Sequence, residues 1–173
     1  MEEQQAKTGK FALNYGLLMG VVSVVFSVML YTQKMHYEMS GGVIAISSLI
    51  GAVIIFLGIR AFKSANGGYL SISEALKVAV GAAVIGAIIS IIYQLVLVNM
   101  IEPDYMEKAM EIAKPKAFEQ NPNMTEEQWE QGMEMQKSLA WIQYPIILIM
   151  NSIFGLIIGL IVGLILKKSK AAY

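Results

Sequence analysis

The stretch WIQYPIILIMNSIFGLIIGLIVGLIL, from Trp141 to Leu166, limits what this chain can fold into more than any other. It sits in an uncharged window of 29 residues, Ser138 to Leu166, and is followed at once by Lys167, Lys168 and Lys170. About 20 apolar residues in a helix rise the ~30 Å of a bilayer's hydrocarbon core. A run of this length predicts a membrane-crossing helix, and the lysines predict that it ends in a polar, cytoplasmic layer. Gly155, Gly159 and Gly163 recur every fourth residue, so they share one helix face and leave a groove for another helix.

Three more runs have the same character, and together they predict an all-α integral membrane protein of four transmembrane helices. The predicted spans are residues 11–31, 40–59, 76–101 and 139–166 of a single domain covering residues 1–173. Composition agrees: 56% of residues are hydrophobic and 15% are charged, where about 25% charged is usual for soluble domains. The uncharged run from Phe11 to Gln33 exceeds the core of a cleaved signal peptide, so it reads as a retained first span. Small residues line these helices as well. Gly16 and Gly20 form a pair in span one, Gly51 and Gly58 lie seven apart in span two, and Gly86 joins a small-residue row in span three. These glycines predict close helix packing, either within one chain or between copies.

Residues 102–138 are the one long polar segment. Pro103-Asp104 reads as a helix start, and Thr125 with Gln128 is a capping-box pattern before a second helix. Pro115 reads as the end or kink of the first. The expectation is an amphipathic helical hairpin, too small to enclose its own core, between spans three and four. Charge gives the direction. Lys7, Lys10, Arg60, Lys63, Lys77, Lys167, Lys168 and Lys170 fall on one side of a four-span chain. The hairpin carries nine acidic residues and four lysines, on the other side. By the positive-inside rule both termini are cytoplasmic and the hairpin is extracytoplasmic, with Trp141, Tyr144, Tyr31 and Tyr37 forming an outer aromatic belt.

Little in the sequence points to chemistry. No span carries Asp, Glu, Lys, Arg or His at its middle, which argues against proton coupling. Zero cysteines and a single histidine exclude thiolate sites and an H-E-x-x-H zinc site. The reading is that the protein is not an enzyme and uses no cofactor or metal. Met35-His36-x-x-Met39 and Met133-x-Met135 offer soft ligands suited to Cu(I), but methionine serves more often as an adaptable apolar filler. Asn151 in span four and Asn99 in span three are candidate polar contacts, read chiefly as interhelical hydrogen-bonding groups. Glu74 and Lys77 are a candidate interfacial pair.

Two motifs resemble a known family. The loop Asn66-Gly67-Gly68-Tyr69-Leu70-Ser71-Ile72-Ser73-Glu74-Ala75-Leu76-Lys77 resembles the NGG-x-(I/L)-S-(F/I)-x-x-A-(F/L)-K stretch of a Bacteroidota membrane family, domain of unknown function 4199. Ile92-Tyr93 and Asn99-Met100-Ile101-Glu102-Pro103-Asp104-Tyr105 resemble its tyrosine-containing span and the I-x-P-D-(F/Y) motif after it. The resemblance implies a four-span protein of the bacterial inner membrane and brings no catalytic residues. Physics gives both motifs structural roles: Gly67-Gly68 for positive φ in a turn, and Ser71 or Ser73 for the cap of the next helix. The functional expectation is a membrane scaffold or accessory subunit, in contact with the lipid bilayer and with a membrane-protein partner or a second copy. The alternative is a small oligomeric channel or transporter. Nucleic acid is not an expected partner.

Overall fold

The computed structural model describes residues 6–37 and 40–169. Glu38, Met39 and Lys170 therefore lie outside the described residues. The described residues form six α-helices: α1 Thr8–Thr32, α2 Gly41–Ala65, α3 Ile72–Val96, α4 Tyr105–Gln120, α5 Glu126–Ser138 and α6 Gln143–Leu166. A π turn, Leu97–Ile101, extends α3, and a short 3₁₀ turn, Ala140–Ile142, leads into α6. Four helices, Thr8–Thr32, Gly41–Ala65, Ile72–Ile101 and Ala140–Leu166, are long and apolar enough to cross a membrane.

Local chemistry fixes where several of these helices begin. Ser40 Oγ accepts from the Val43 amide and opens α2. Ser71, not Ser73, caps α3, and Glu74 closes the reciprocal bond of a capping box. Thr125 and Gln128 form the second capping box, at the start of α5. Two boundaries differ from the sequence reading. Helix α2 continues past Ile59 to Ala65 because Phe62, fully buried, belongs to the core. Helix α4 runs through Pro115 to Gln120. Proline there removes the donor that would meet the Glu111 carbonyl, and both residues are exposed, so water can satisfy that carbonyl.

Helix α3 is central, with α1 and α6 as its main partners and α2 packed more lightly on all three. Glycine sets each close approach. Gly155, Gly159 and Gly163 of α6 face Ala83, Ala79 and Ala75 of α3 in antiparallel register. A Cβ built on Gly159 would lie 2.6 Å from the Ala79 Cβ, and one on Gly155 would lie 3.0 Å from Val80 Cα. On the other side of α3, Gly16 and Gly20 of α1 receive Ile85 and Ile89, while Gly86 receives Met19. Gly58 accommodates Tyr15, and Gly51 accommodates Phe154. All eight glycines singled out in the sequence thus pack against side chains of their own chain. Without a hydrophobic drive between helices in lipid, such backbone approach is what lets dispersion hold a bundle together.

The packing is one-sided along the helix axes. Ile55, Ile59, Phe62, Leu70, Ala75, Val78 and Ala79 are essentially fully buried, and all lie toward the lysine-bearing helix ends. Buried positions stop at Gly20 in α1, at Gly51 in α2 and at Gly155 in α6, and in α3 they stop at Ala87 until Leu97. Toward the hairpin end few helix positions are buried, and cavities take the place of core. The lysine end is fastened further by an antiparallel bridge: Leu70 and Lys168 exchange both backbone hydrogen bonds at 3.0 Å. Gly67 and Gly68, at φ +65° and +83°, make the turn that brings Leu70 there.

Candidate functional site

The hairpin end is organised by Glu102, a carboxylate only 7% exposed although it lies just past the π turn. Its neighbours come from distant parts of the chain. The turn between α1 and α2 supplies His36 and Tyr37, and the first turn of α4 supplies Lys108. Tyr37 donates a short hydrogen bond to Oε1, Lys108 Nζ donates to the same oxygen at 2.9 Å, and His36 Nε2 lies 2.9 Å from Oε2. Lys108 also reaches Asp104 at 2.9 Å. Tyr105 donates to the His36 carbonyl at 3.3 Å, and the rings of His36, Tyr37 and Tyr105 lie together with centroids 4.0 to 5.8 Å apart. Lys34, at φ +57°, makes the tight turn that presents His36.

These contacts set the protonation of the cluster. The Tyr37 hydrogen bond, with those from Lys108 and His36, holds the Glu102 carboxyl down at about 2 against the pull of burial. The same bond pushes the Tyr37 phenol up to about 12. Asp104 first, then Glu102, raise the Lys108 ammonium above its ordinary range. Burial, helped by the Glu102 charge, raises Tyr105. Glu102 is thus an ionised acceptor at neutral pH, so the His36 Nε2 atom carries the proton that bridges them. The other ring nitrogen, Nδ1, is buried with no hydrogen-bond partner among the described residues.

His36 stands where three cavities meet. One of about 690 Å³ runs under the hairpin between Tyr105, Met106, Met110, Trp129 and Asn99. A second of about 510 Å³ lies on the other side of Glu102, by Tyr31, Lys34 and Lys108. The third, about 240 Å³, penetrates between α1, α2 and α3, lined by Ser27, Ser47, Ser90, Tyr93 and Gln94. The hairpin itself is loosely attached. Neither α4 nor α5 has a buried residue, and the two helices join through the Lys114–Glu126 ion pair at 2.5 Å and the Phe118–Trp129 ring contact.

The residues singled out in the sequence fall into different places. Asn99 lines the cavity under the hairpin while its amide bonds the Leu95 carbonyl at 2.7 Å in its own helix. Asn151 likewise donates to Ile147 at 2.9 Å, four residues back on α6. A helix carbonyl is always within reach at that spacing, so the amide finds an intrahelical acceptor and not a neighbouring helix. Glu74 is held by Ser71 at 2.7 Å and by Asn66 at 3.4 Å, and none of the ion pairs among the described residues joins it to Lys77. Met133 and Met135 lie on α5, while Met35 and His36 line the inner cavity. No cluster of three or more His, Cys, Asp or Glu side chains among the described residues is placed to hold a metal.

Sequence reasoning missed Glu102, Tyr37, Tyr105 and Lys108 as a unit. Glu102 and Tyr105 flank the Pro103-Asp104 step, and a family model described as protein of unknown function (DUF4199) matches residues 14–168, including that step and the NGG loop. The chain belongs to the DUF4199 family. No curated protein and no solved structure matches it. In this DUF4199 chain both motifs are anchors at opposite ends of the bundle. Asn66-Gly67-Gly68 and Ser71 tie the lysine end, and Glu102 through Tyr105 tie the hairpin end.

Proposed function

We propose that this DUF4199 protein is a non-enzymatic accessory subunit of the bacterial inner membrane. Its four long helices span the bilayer, its lysine end and both termini are cytoplasmic, and its hairpin stands outside. The observation that carries the accessory role is the hairpin's own lack of burial. Helices α4 and α5 contribute nothing to the core, yet they hold exposed apolar residues such as Ile112 and Met135 above a ring-and-carboxylate anchor. An appendage held this way suits contact with a second membrane protein. Crosslinking through cysteines placed at Glu119 and Glu130, in native lipid, should capture one distinct polypeptide in stoichiometric yield. Capture of only this chain, or of none, refutes the accessory role. Reporter fusions at Lys63 and Glu119 should report from opposite sides; the same side for both would overturn the topology.

A second reading, a small channel or transporter, draws support from the cavity between α1, α2 and α3. It requires a path through the lysine end, where Ile55, Ile59 and Phe62 are fully buried. Solute flux in proteoliposomes that Gln94→Leu, in the wall of that cavity, abolishes, while changes at lipid-facing positions leave it intact, would favour transport over the accessory role.

A further inference from the structure

The inner cavity has its own chemistry. It lies between α1, α2 and α3, with His36 in its wall and about 240 Å³ of space. None of the described residues lining it is Asp, Glu, Lys or Arg. Ser47 and Ser90 donate their hydroxyl protons to Val43 and Gly86 of their own helices, which leaves their oxygens as acceptors. His36 adds an imidazole edge to the wall, on a side chain only 8% exposed. Ser27, Tyr93 and Gln94 make no side-chain hydrogen bond among the described residues, although each carries a donor and an acceptor. A site that offers unmatched acceptors and donors side by side, with no Asp, Glu, Lys or Arg in its wall, calls for a neutral ligand bearing hydroxyls, which give and take hydrogen bonds at once.

The route in is lateral. Helices α1 and α2 touch through Gly58 with Tyr15 and Phe62 with Phe11, both toward the lysine end. Beyond Gly51 no residue of α2 toward the hairpin end is buried, and Ile44, Ile46 and Leu49 are exposed beside the cavity's Val43 and Ser47. The gap therefore opens on an apolar flank. In volume the cavity equals roughly eight waters, taking ~30 Å³ per molecule of liquid water, enough for a headgroup but not for a chain.

We propose that this cavity binds the headgroup of an uncharged, hydroxyl-bearing amphiphile, such as a glycerol-headed lipid, entering between α1 and α2 from the surrounding lipid. The proposal rests on the membrane-spanning reading. Its test uses the full chain in lipid nanodiscs and a monoacylglycerol carrying a diazirine near its headgroup. Photolabelling should saturate, map to residues 24–31, 43–47 and 90–97, and be displaced by unlabelled monoacylglycerol. Ser90→Leu, which fills the cavity, should lower labelling there at least tenfold. Ser47→Leu, on the unburied arm of α2, gives the same readout if Ser90→Leu does not fold. A probe with both hydroxyls methylated should bind about tenfold more weakly for each donor lost, as one hydrogen bond's worth of affinity. Equal labelling by the methylated probe, or by a phosphate-bearing one, refutes the proposal. Unsaturable labelling spread along all lipid-facing helices refutes it too while leaving the membrane reading intact. No labelling by any lipid probe would sink both.

Discussion

Replacing Gly159 by alanine adds one methyl where the structure has no room for it. That methyl would lie 2.6 Å from the Ala79 methyl and 3.5 Å from Leu76 Cα. Carbon atoms sit comfortably at about 3.5–4.0 Å, so α3 and α6 must part by roughly 1 Å. The obstacle is a Cβ held rigidly on a helix, so no side-chain rotation relieves it. Parting the helices also loosens the contacts of Gly155 with Ala83 and of Gly163 with Ala75, both built at 3.0 Å. Overpacking of this kind costs about 1–3 kcal/mol, and the better helix propensity of alanine returns at most about 1 kcal/mol. The expected net loss is about 1–2 kcal/mol, measured as reversible unfolding of the monomer in lipid bicelles. Ala79→Gly in the same chain removes the opposing methyl and should restore most of that loss. Gly132→Ala on α5, where nothing lies within 4 Å, should instead be neutral or slightly stabilising. If Gly159→Ala were as stable as the parent, or Ala79→Gly gave no rescue, the α3–α6 register described above would be wrong. A loss that appeared only as weaker self-association would place these glycines between copies and not within one.

The hairpin anchor gives three further expectations. Glu102→Ala leaves the His36 ring and the Tyr37 hydroxyl without their acceptor, and should cost about 1–3 kcal/mol, read as faster hydrogen exchange through residues 33–37 and 102–108. The carboxyl's depressed pKa makes its contribution fully present above its ordinary value, 4.5, and lost as pH falls from there toward about 2; the same exchange signal followed between pH 6 and 2 should rise in that window. Tyr37 has the opposite sign: its raised pKa, about 12, stabilises the fold below 10 and is lost between 10 and 12, so ultraviolet titration should show a late phenolate that Tyr37→Phe removes. At the other end, Gly68→Ala has open space for its methyl but must hold φ +83°, which should cost about 1 kcal/mol in a thermal melt with no change in packing.

The four long helices were legible because an uncharged run of more than 20 residues admits few other structures. Their ends were less so, since hydropathy marks where an apolar layer stops and not where a helix does. Phe62 shows the difference: it follows Arg60, outside the apolar run, and is still at the centre of the core. The glycine rows were visible at fourfold spacing, but their partners were not, because register depends on which helices are neighbours. The site was the least legible part. Glu102 precedes Pro103-Asp104 and reads as part of a helix start, while His36 and Tyr37 lie 66 and 65 residues earlier. Nothing local joins them. A charged residue at the edge of an apolar run was the available signal, together with the aromatic and imidazole side chains in the one short connection at the same end.

The confinement of burial to one end of the bundle gives the molecule a mechanical character. The arm of α2 beyond Gly51 is in effect a cantilever, clamped at the lysine end by the glycine-packed layers, while Glu102 ties the end of α3 to His36, Tyr37 and Lys108. From Gly51 to Gly41 the free arm of α2 is about 15 Å long at 1.5 Å per residue. A tilt of about 10° at its clamp moves the tip by roughly 2.6 Å over that length, while the clamped layers scarcely move. Compliance is therefore graded along α2, and lateral load on that helix is felt chiefly at its unburied arm, beside the His36 and Glu102 anchor.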